Sequence, residues 1–461
     1  MQRPKAGKLF RFILRWTIAI VGVYWVVTNI HLNDRIQVLD AQNLPFDAVL
    51  VEGDENAPQF TYVDPTTGQN AVAPRDRVIN GPDQKTVTLA DGKPAALLGM
   101  RLVGDIDKNP AIRDVLVLDP TGQSGIFVAP GQLMGYQLDV PQPRVVVGAK
   151  TMVRRADPML LIAAVCVMPL TFMFTTLRWH QLLRVLGIWI PLRRAFVLNM
   201  VGSFYNSFMP GSTGGDVLKA YYAAKQVPTR RTAAVMSVIV DRAIGLIALV
   251  ILGGVMAAIQ YATSPDRSDP VAQRCLQVAI GAVVILTGVL GFSIVVYWRG
   301  LREKLGFYAL VARAPMQTHV QKVIEVVRLY RQRPLLIFGA LMITFPVHLT
   351  VIVSAMLAGN AFDLPIPTGY YFIVVPVVVL VGALPLSPQG VGVMEAFAFI
   401  LTRSQGATVN QALALTMSIR LTAMVWNLLG GLFVLRGGYH TPTDKEQSEL
   451  ESDVGPAPTT K

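Results

Sequence analysis

Three carboxylates and three basic side chains interrupt apolar runs in this chain: Asp216, Asp241 and Glu395 against Lys219, Arg242 and Arg420. An ionised group in apolar surroundings must pair or hold an opposite charge, because burying it alone costs several kcal/mol. Asp241 and Arg242 lie about ten residues into their run, roughly 15 Å deep if it is helical, and Arg420 is similarly deep in the last one. Two stretches rich in glycine and proline accompany them. The first, Asn206 to Asp216, contains Pro210, Gly214 and Gly215; the second, Leu384 to Gly392, contains Pro385, Ser387, Gly390 and Gly392. Neither composition sustains a continuous helix. A glycine-rich turn that opens a helix presents backbone N–H groups at a positive dipole end, where a phosphate or a carboxylate can sit. Asp216 and Glu395 follow the two stretches directly and are placed to cap the helices that begin there. Two readings follow from the residues. The three acids and three bases neutralise one another as a structural network, or Arg242 and Arg420 hold an anionic group in a cavity walled by the two glycine loops.

The elements that must position these residues are long and apolar. Of 461 residues, 52% are hydrophobic and only 15% charged, against roughly 25% charged in soluble domains. A bilayer core needs about 20 apolar residues per helical span, and several segments reach that length. Irregular backbone at membrane depth survives only inside protein or beside a wet cavity, so both glycine loops belong in protein-enclosed places. The net charge is +12, but residues 31–157 carry a net −4, leaving +16 for the remainder. Those bases cluster in short loops beside apolar runs, which is the positive-inside pattern and not a nucleic-acid footprint.

The basic N-terminus (Arg3, Lys5, Lys8, Arg11, Arg15) precedes an apolar run from Trp16 to Ile30, so residues 1–31 read as a cytoplasmic segment and a retained first span. Residues 32–150 change character. Short β-prone runs such as Asp47–Val51, Lys85–Leu89 and Asp114–Leu118 alternate with turns at Asp64–Gly68, Asn80–Asp83 and Asp119–Gly122. They predict a small extracytoplasmic β sandwich or barrel. The bundle of 151–438 then offers spans at Pro158–Leu177, Thr232–Tyr261, Cys275–Tyr297, Leu335–Ala358 and Gln411–Leu435. A basic loop with Arg299, Arg302 and Lys304 reads as cytoplasmic, and 439–461 reads as a disordered cytoplasmic tail. Ala195–Tyr222 and Gly369–Leu401 are the two broken segments. Basic residues flank both ends of the first; the second carries only Arg403 nearby. The pattern predicts an all-α polytopic bundle with two broken or re-entrant helix pairs, one opened from each face, as an inverted repeat would produce. Two ordinary spans in place of each pair would give ten helices. The cysteines, Cys166 and Cys275, and five scattered histidines support neither a disulfide framework nor a metal site. His348 is expected as a packed, hydrogen-bonded helix residue.

Three pieces of sequence resemble the lysylphosphatidylglycerol synthase transmembrane-region family, also called the flippase-like domain family. Arg178-Trp179 with Leu182, Leu183 and Gly187 is similar to its Arg-Trp element. Gly202 through Pro210-Gly211 to Gly214-Gly215-Asp216 is similar to its Gly-Gly-Asp loop. Pro385 to Glu395, followed by Gly406 and Arg420, is similar to its Pro-x-Ser and Gly-x-Gly-x-x-Glu element, and Asp241-Arg242 stands where Glu-Arg is common. The resemblance covers about Pro158–Gly438. It departs in the β-rich insert, in Met394 where a base is common, and in having no soluble aminoacyl-transferase domain after Gly438. The resemblance implies an inner-membrane protein that binds and translocates a phospholipid or a polyprenyl-linked lipid. A lipid-modifying transferase or its accessory subunit is one alternative; a scaffold recruiting an extracytoplasmic protein through residues 32–150 is another. No cofactor, metal or nucleic acid is expected.

Overall fold

The computed structural model describes residues 6–81, 86–103, 111–133, 143–208, 214–227, 230–298, 330, 334–384, 386–437 and 439. Helix α1 (Ala6–Asn29) leads into strands β1 (Arg35–Leu39), β2 (Pro45–Glu52), β3 (Gln59–Val63), β4 (Asn70–Pro74), β5 (Val78–Ile79), β6 (Thr86–Thr88), β7 (Pro94–Val103), β8 (Ala111–Leu118), β9 (Gly125–Val128) and β10 (Val145–Val146). Antiparallel pairing orders one sheet β10-β1-β2-β3-β4, with β5 also on β1, and the other β6-β7-β8-β9. The region has two small cores, one around Phe60, Ile36 and Val78 and one around Met100, Val115 and Val117, joined where Leu39, Ile79 and Leu116 meet.

The helices that follow are α2 (Ala149–Arg155), α3 (Pro158–Val167), α4 (Pro169–Val185), α5 (Leu192–Phe208), α6 (Gly214–Gln226), α7 (Arg231–Thr263), α8 (Pro270–Tyr297), α9 (Pro334–Ala361), α10 (Thr368–Ala383), α11 (Val393–Thr402) and α12 (Val409–Leu435). Among the described residues, five stretches are long and apolar enough to cross a membrane: Pro158–Val185, Arg231–Thr263, Pro270–Val295, Leu335–Ala361 and Val409–Leu435. The apolar part of α1, Trp16–Asn29, is shorter than those five. The second span departs from expectation: it is two helices, broken at Met168 before Pro169, and it runs on to Val185. Arg178 therefore lies inside it and not in a flanking loop. Helix α8 packs on α7 and turns Val283, Val284 and Leu290 outward, as a lipid-facing helix does. The basic loop after Trp298 and the tail after Tyr439 fall outside the described residues.

One buried amide ties the β region to the bundle. Asn410, at the start of α12, donates Nδ2–H to His31 O (2.9 Å) and Val147 O (2.8 Å) and accepts from His31 N (3.1 Å). The exit of α1, the exit of the sheet and the start of the last helix thus share one side chain. Asp157 caps α3 by accepting from Met159 N, and its own N–H donates to Ala361 O at the end of α9. These ends form the rim on which the β region sits.

Candidate functional site

Helices α5 and α6 form the first hairpin. Gly202 and Gly215 let them touch: a Cβ on Gly215 would collide with the Gly202 carbonyl. The N–H of Gly215 donates to Asn206 Oδ1 (2.8 Å), and the residues just before Gly214, onto which Asp216 would cap, lie outside the described residues. The Asp216 carboxylate pairs with Arg242 of α7. The open end of this hairpin packs with Trp179, Leu183 and Ile188, where α4 ends.

One turn further along α6, Lys219 enters a dry polar network. Asp241 receives Arg178 Nε on one oxygen (2.7 Å) and Lys219 Nζ on the other (3.3 Å), and all three side chains are less than 10% exposed. Arg178 Nη1 donates to Thr344 Oγ1 (3.0 Å), Lys219 donates to Asn199 Oδ1 (3.1 Å), and Asn199 Nδ2 donates to Thr176 Oγ1 (3.2 Å). The ammonium also lies 4.1 Å from the centre of the Trp179 ring, whose Nε1 donates to Ser237. His348 bonds Gly245 O (2.9 Å) beside this network, the packed role expected of it. The network joins α4, α5, α6, α7 and α9, the arrangement of a structural anchor.

Helices α10 and α11 form the second hairpin, whose outer ends meet where Tyr370 Oη donates to Leu401 O (3.0 Å). Its tip turns through Gln389, Gly390 and Gly392, all at positive φ (52°, 70° and 82°), a region glycine enters without strain. Gly390 abuts Gly382 and Met394, and Gly392 abuts Gly22 of α1, leaving no room for side chains. Ser387 Oγ closes the turn on Val391 O (2.9 Å). Glu395 caps α11 as expected, accepting from Gly392 N (2.7 Å). Its carboxylate also receives Arg420 of α12, at 2.5 Å and 3.4 Å.

The two tips touch. Gln389 Nε2 donates to Ser207 O at the end of α5, and Asn427 Nδ2 donates to Ser207 Oγ (2.9 Å). Arg242 spans the junction: Nη1 pairs with Asp216 of the first hairpin and Nη2 donates to Ala383 O of the second (3.2 Å). Unlike the Asp241 network, this pair is about a quarter exposed, 28% at Arg242 and 25% at Asp216. Pro210 and Pro385 lie outside the described residues.

Residues 149–431 match the family model described as the lysylphosphatidylglycerol synthase TM region. The chain belongs to that family. A UPF0104 membrane protein of Methanothermobacter thermautotrophicus is 24% identical over 285 residues, covering 58% of this chain and 82% of that protein. The family region contains every candidate residue from Arg178 to Arg420, and the β strands lie outside it. Within it, the amides Asn199, Asn206, Gln389 and Asn427 escaped sequence reasoning. Asn199 and Asn206 do stand in an otherwise apolar run, where a buried amide must find partners.

Proposed function

We propose that this family member binds and translocates a lipid with an anionic headgroup, a phospholipid or a polyprenyl-linked lipid, at the contact between the two hairpin tips. The observation that carries this reading is Arg242, which bridges Asp216 and Ala383 O and is open enough to be reached. A carboxylate and a phosphate oxygen are interchangeable partners for a guanidinium fork. A headgroup that displaces Asp216 loosens the link between the hairpins while leaving the charge compensated. A further feature supports an anionic ligand: the buried Arg420 Nε has no hydrogen-bond partner among the described residues. In this reading both hairpins are re-entrant in the bilayer and meet near its midplane. The termini are cytoplasmic, and the β region faces outside the cell membrane.

The test is a leaflet-resolved assay. In proteoliposomes carrying a fluorescent phospholipid, wild-type protein should expose inner-leaflet label to an impermeant quencher, and Arg242→Leu should not. Transport that survives Arg242→Leu at the wild-type rate refutes the role of the tips.

A further inference from the structure

The β region repeats itself. Asp64-Pro-Thr-Thr-Gly68 and Asp119-Pro-Thr-Gly122 turn equivalent hairpins, β3 to β4 and β8 to β9. The Asp64 N–H closes the first on Gln69 O and the Asp119 N–H closes the second on Ser124 O, both at 2.9 Å. The strands before them slip register at the same place, between Leu50 and Glu52 in β2 and between Leu97 and Gly99 in β7. After β4 and β9 the chain makes one short 3₁₀ helix, Arg75–Arg77 and Pro130–Gln132. It then returns to the first strand of its own unit, Val78 beside Val38 and Leu133 beside Leu89 at the end of β6. The first hairpins match too. Asn43 and Gly92 both turn at positive φ, and their N–H groups donate to Asp40 O (3.1 Å) and Leu89 O (2.9 Å). A bulge placed twice at one position is a feature of a repeated fold, not of chance pairing.

This correspondence puts Val51, Thr61 and Val72 of the first module where Leu98, Leu116 and Phe127 stand in the second. All six lie on the outer face of their sheet. Leu50, Phe60 and Ala73 beside the first three point into the core, and side chains alternate along a strand. In the second module this face is covered: Leu98, Leu116 and Phe127 pack with Leu39 and Ile79 of the first. In the first module it is open, with Val51 52% and Val72 60% exposed. Val49 and Val63, opposite each other on β2 and β3, extend it into a β-branched patch centred on Thr61. The charged neighbours Arg35, Asp47 and Glu52 lie to one side, on β1 and β2, while β3 and β4 carry no charge. An apolar centre with a polar margin is the anatomy of a protein contact.

A face covered in one module and bare in its repeat calls for the same kind of cover, the uncharged apolar surface of a β module. A second copy of this chain supplies one. Across β3 and β4 the patch can meet itself without opposing like charges. Copies in one membrane are related by an axis along its normal, and a face that meets itself closes as a pair. Anchoring both partners in one bilayer raises their effective concentration, so a patch smaller than the about 800 Å² per partner of a standard interface can hold them. We infer that the β region is a tandem repeat of one module and that the open face of the first module, centred on Thr61, joins two copies of this chain. The pairing does not depend on lipid translocation.

The experiment uses full-length protein in vesicles at a low protein-to-lipid ratio. Cys166→Ala removes the exposed native thiol. On oxidation, Thr61→Cys should give a disulfide-linked dimer, because a residue at the axis meets its own copy. Ile126→Cys, exposed on the second module, should not. Adding Val72→Glu should lower the Thr61→Cys dimer at least about tenfold, since the carboxylate would be buried against its own copy. Val51→Glu should do the same, and it decides if the Val72 variant fails to fold. A dimer yield at Thr61→Cys no greater than at Ile126→Cys overturns the pairing, as does a dimer indifferent to both glutamates. Crosslinking in native membranes to a different protein, in place of the copy, overturns the second copy as the occupant. A Thr61→Cys thiol that resists an impermeant maleimide without forming dimer means that the face lies on lipid, which overturns the pairing as well. Lipid movement is measured apart, so the pairing and the hairpin tips can fail independently.

Discussion

Asp241 and Arg242 are neighbours on α7 with opposite fates. About 100° of helical turn separates them, and this points Asp241 into a closed network and Arg242 at the hairpin tips. Asp241 is shared by Arg178 and Lys219, all three side chains being less than 10% exposed. Arg242 meets the Asp216 carboxylate and the Ala383 carbonyl and is about a quarter exposed, 28%. The comparison separates two uses of charge in an apolar bundle. A buried cluster shared by several helices holds them together; a half-open pair can trade partners.

The largest effect that would sharpen this contrast is expected at Asp241. Asp241→Asn leaves two buried cations without a counter-charge, at a cost of about 3–5 kcal/mol. The variant should fail to accumulate in the membrane or lose its thermal transition in detergent. Normal yield and stability would break the anchor assignment. Next comes Arg420→Leu, which strips the cation from the buried Glu395 carboxylate but leaves its bond to Gly392 N. A loss of about 2 kcal/mol is expected in thermal unfolding, together with loss of lipid movement.

Arg242→Leu should cost less stability, about 1 kcal/mol or below, because the pair is partly solvated and Asp216 can relax toward water. Lipid movement should nevertheless stop. A stability loss as large as that of Asp241→Asn would erase the distinction between the two neighbours. The smallest effect is at His31. Its lowered value means that the unfolded chain takes up the proton more readily than the folded one. Its contribution is present above the ordinary value of 6.5 and declines as pH falls below it. Protection factors at residues 143–147, taken against the intrinsic exchange rate at each pH, should fall modestly in mildly acidic buffer. A His31→Gln variant should lose that pH dependence.

Much of this arrangement was legible before the fold was known. Apolar run lengths located the long helices, and the cost of an unpaired buried charge required partners for Asp216, Asp241 and Glu395. Glycine and proline content broke the two segments at the places where hairpin tips occur. The partners themselves were not legible. Arg178 read as a flanking loop charge because Arg184, Arg193 and Arg194 follow it, yet α4 continues to Val185 and carries Arg178 into the core. The position of Asp216 suggests a cap, and only the fold shows that its carboxylate also reaches Arg242 on a different helix. Local chemistry determines that a charge must be paired and that a backbone must bend, since both follow from single residues and their immediate neighbours. Which charge meets which, and which glycine faces which backbone, depends on helices distant in sequence. Only packing decided that Gly22 would meet Gly392, that Ser207 would meet Gln389, and that adjacent residues of α7 would serve separate centres.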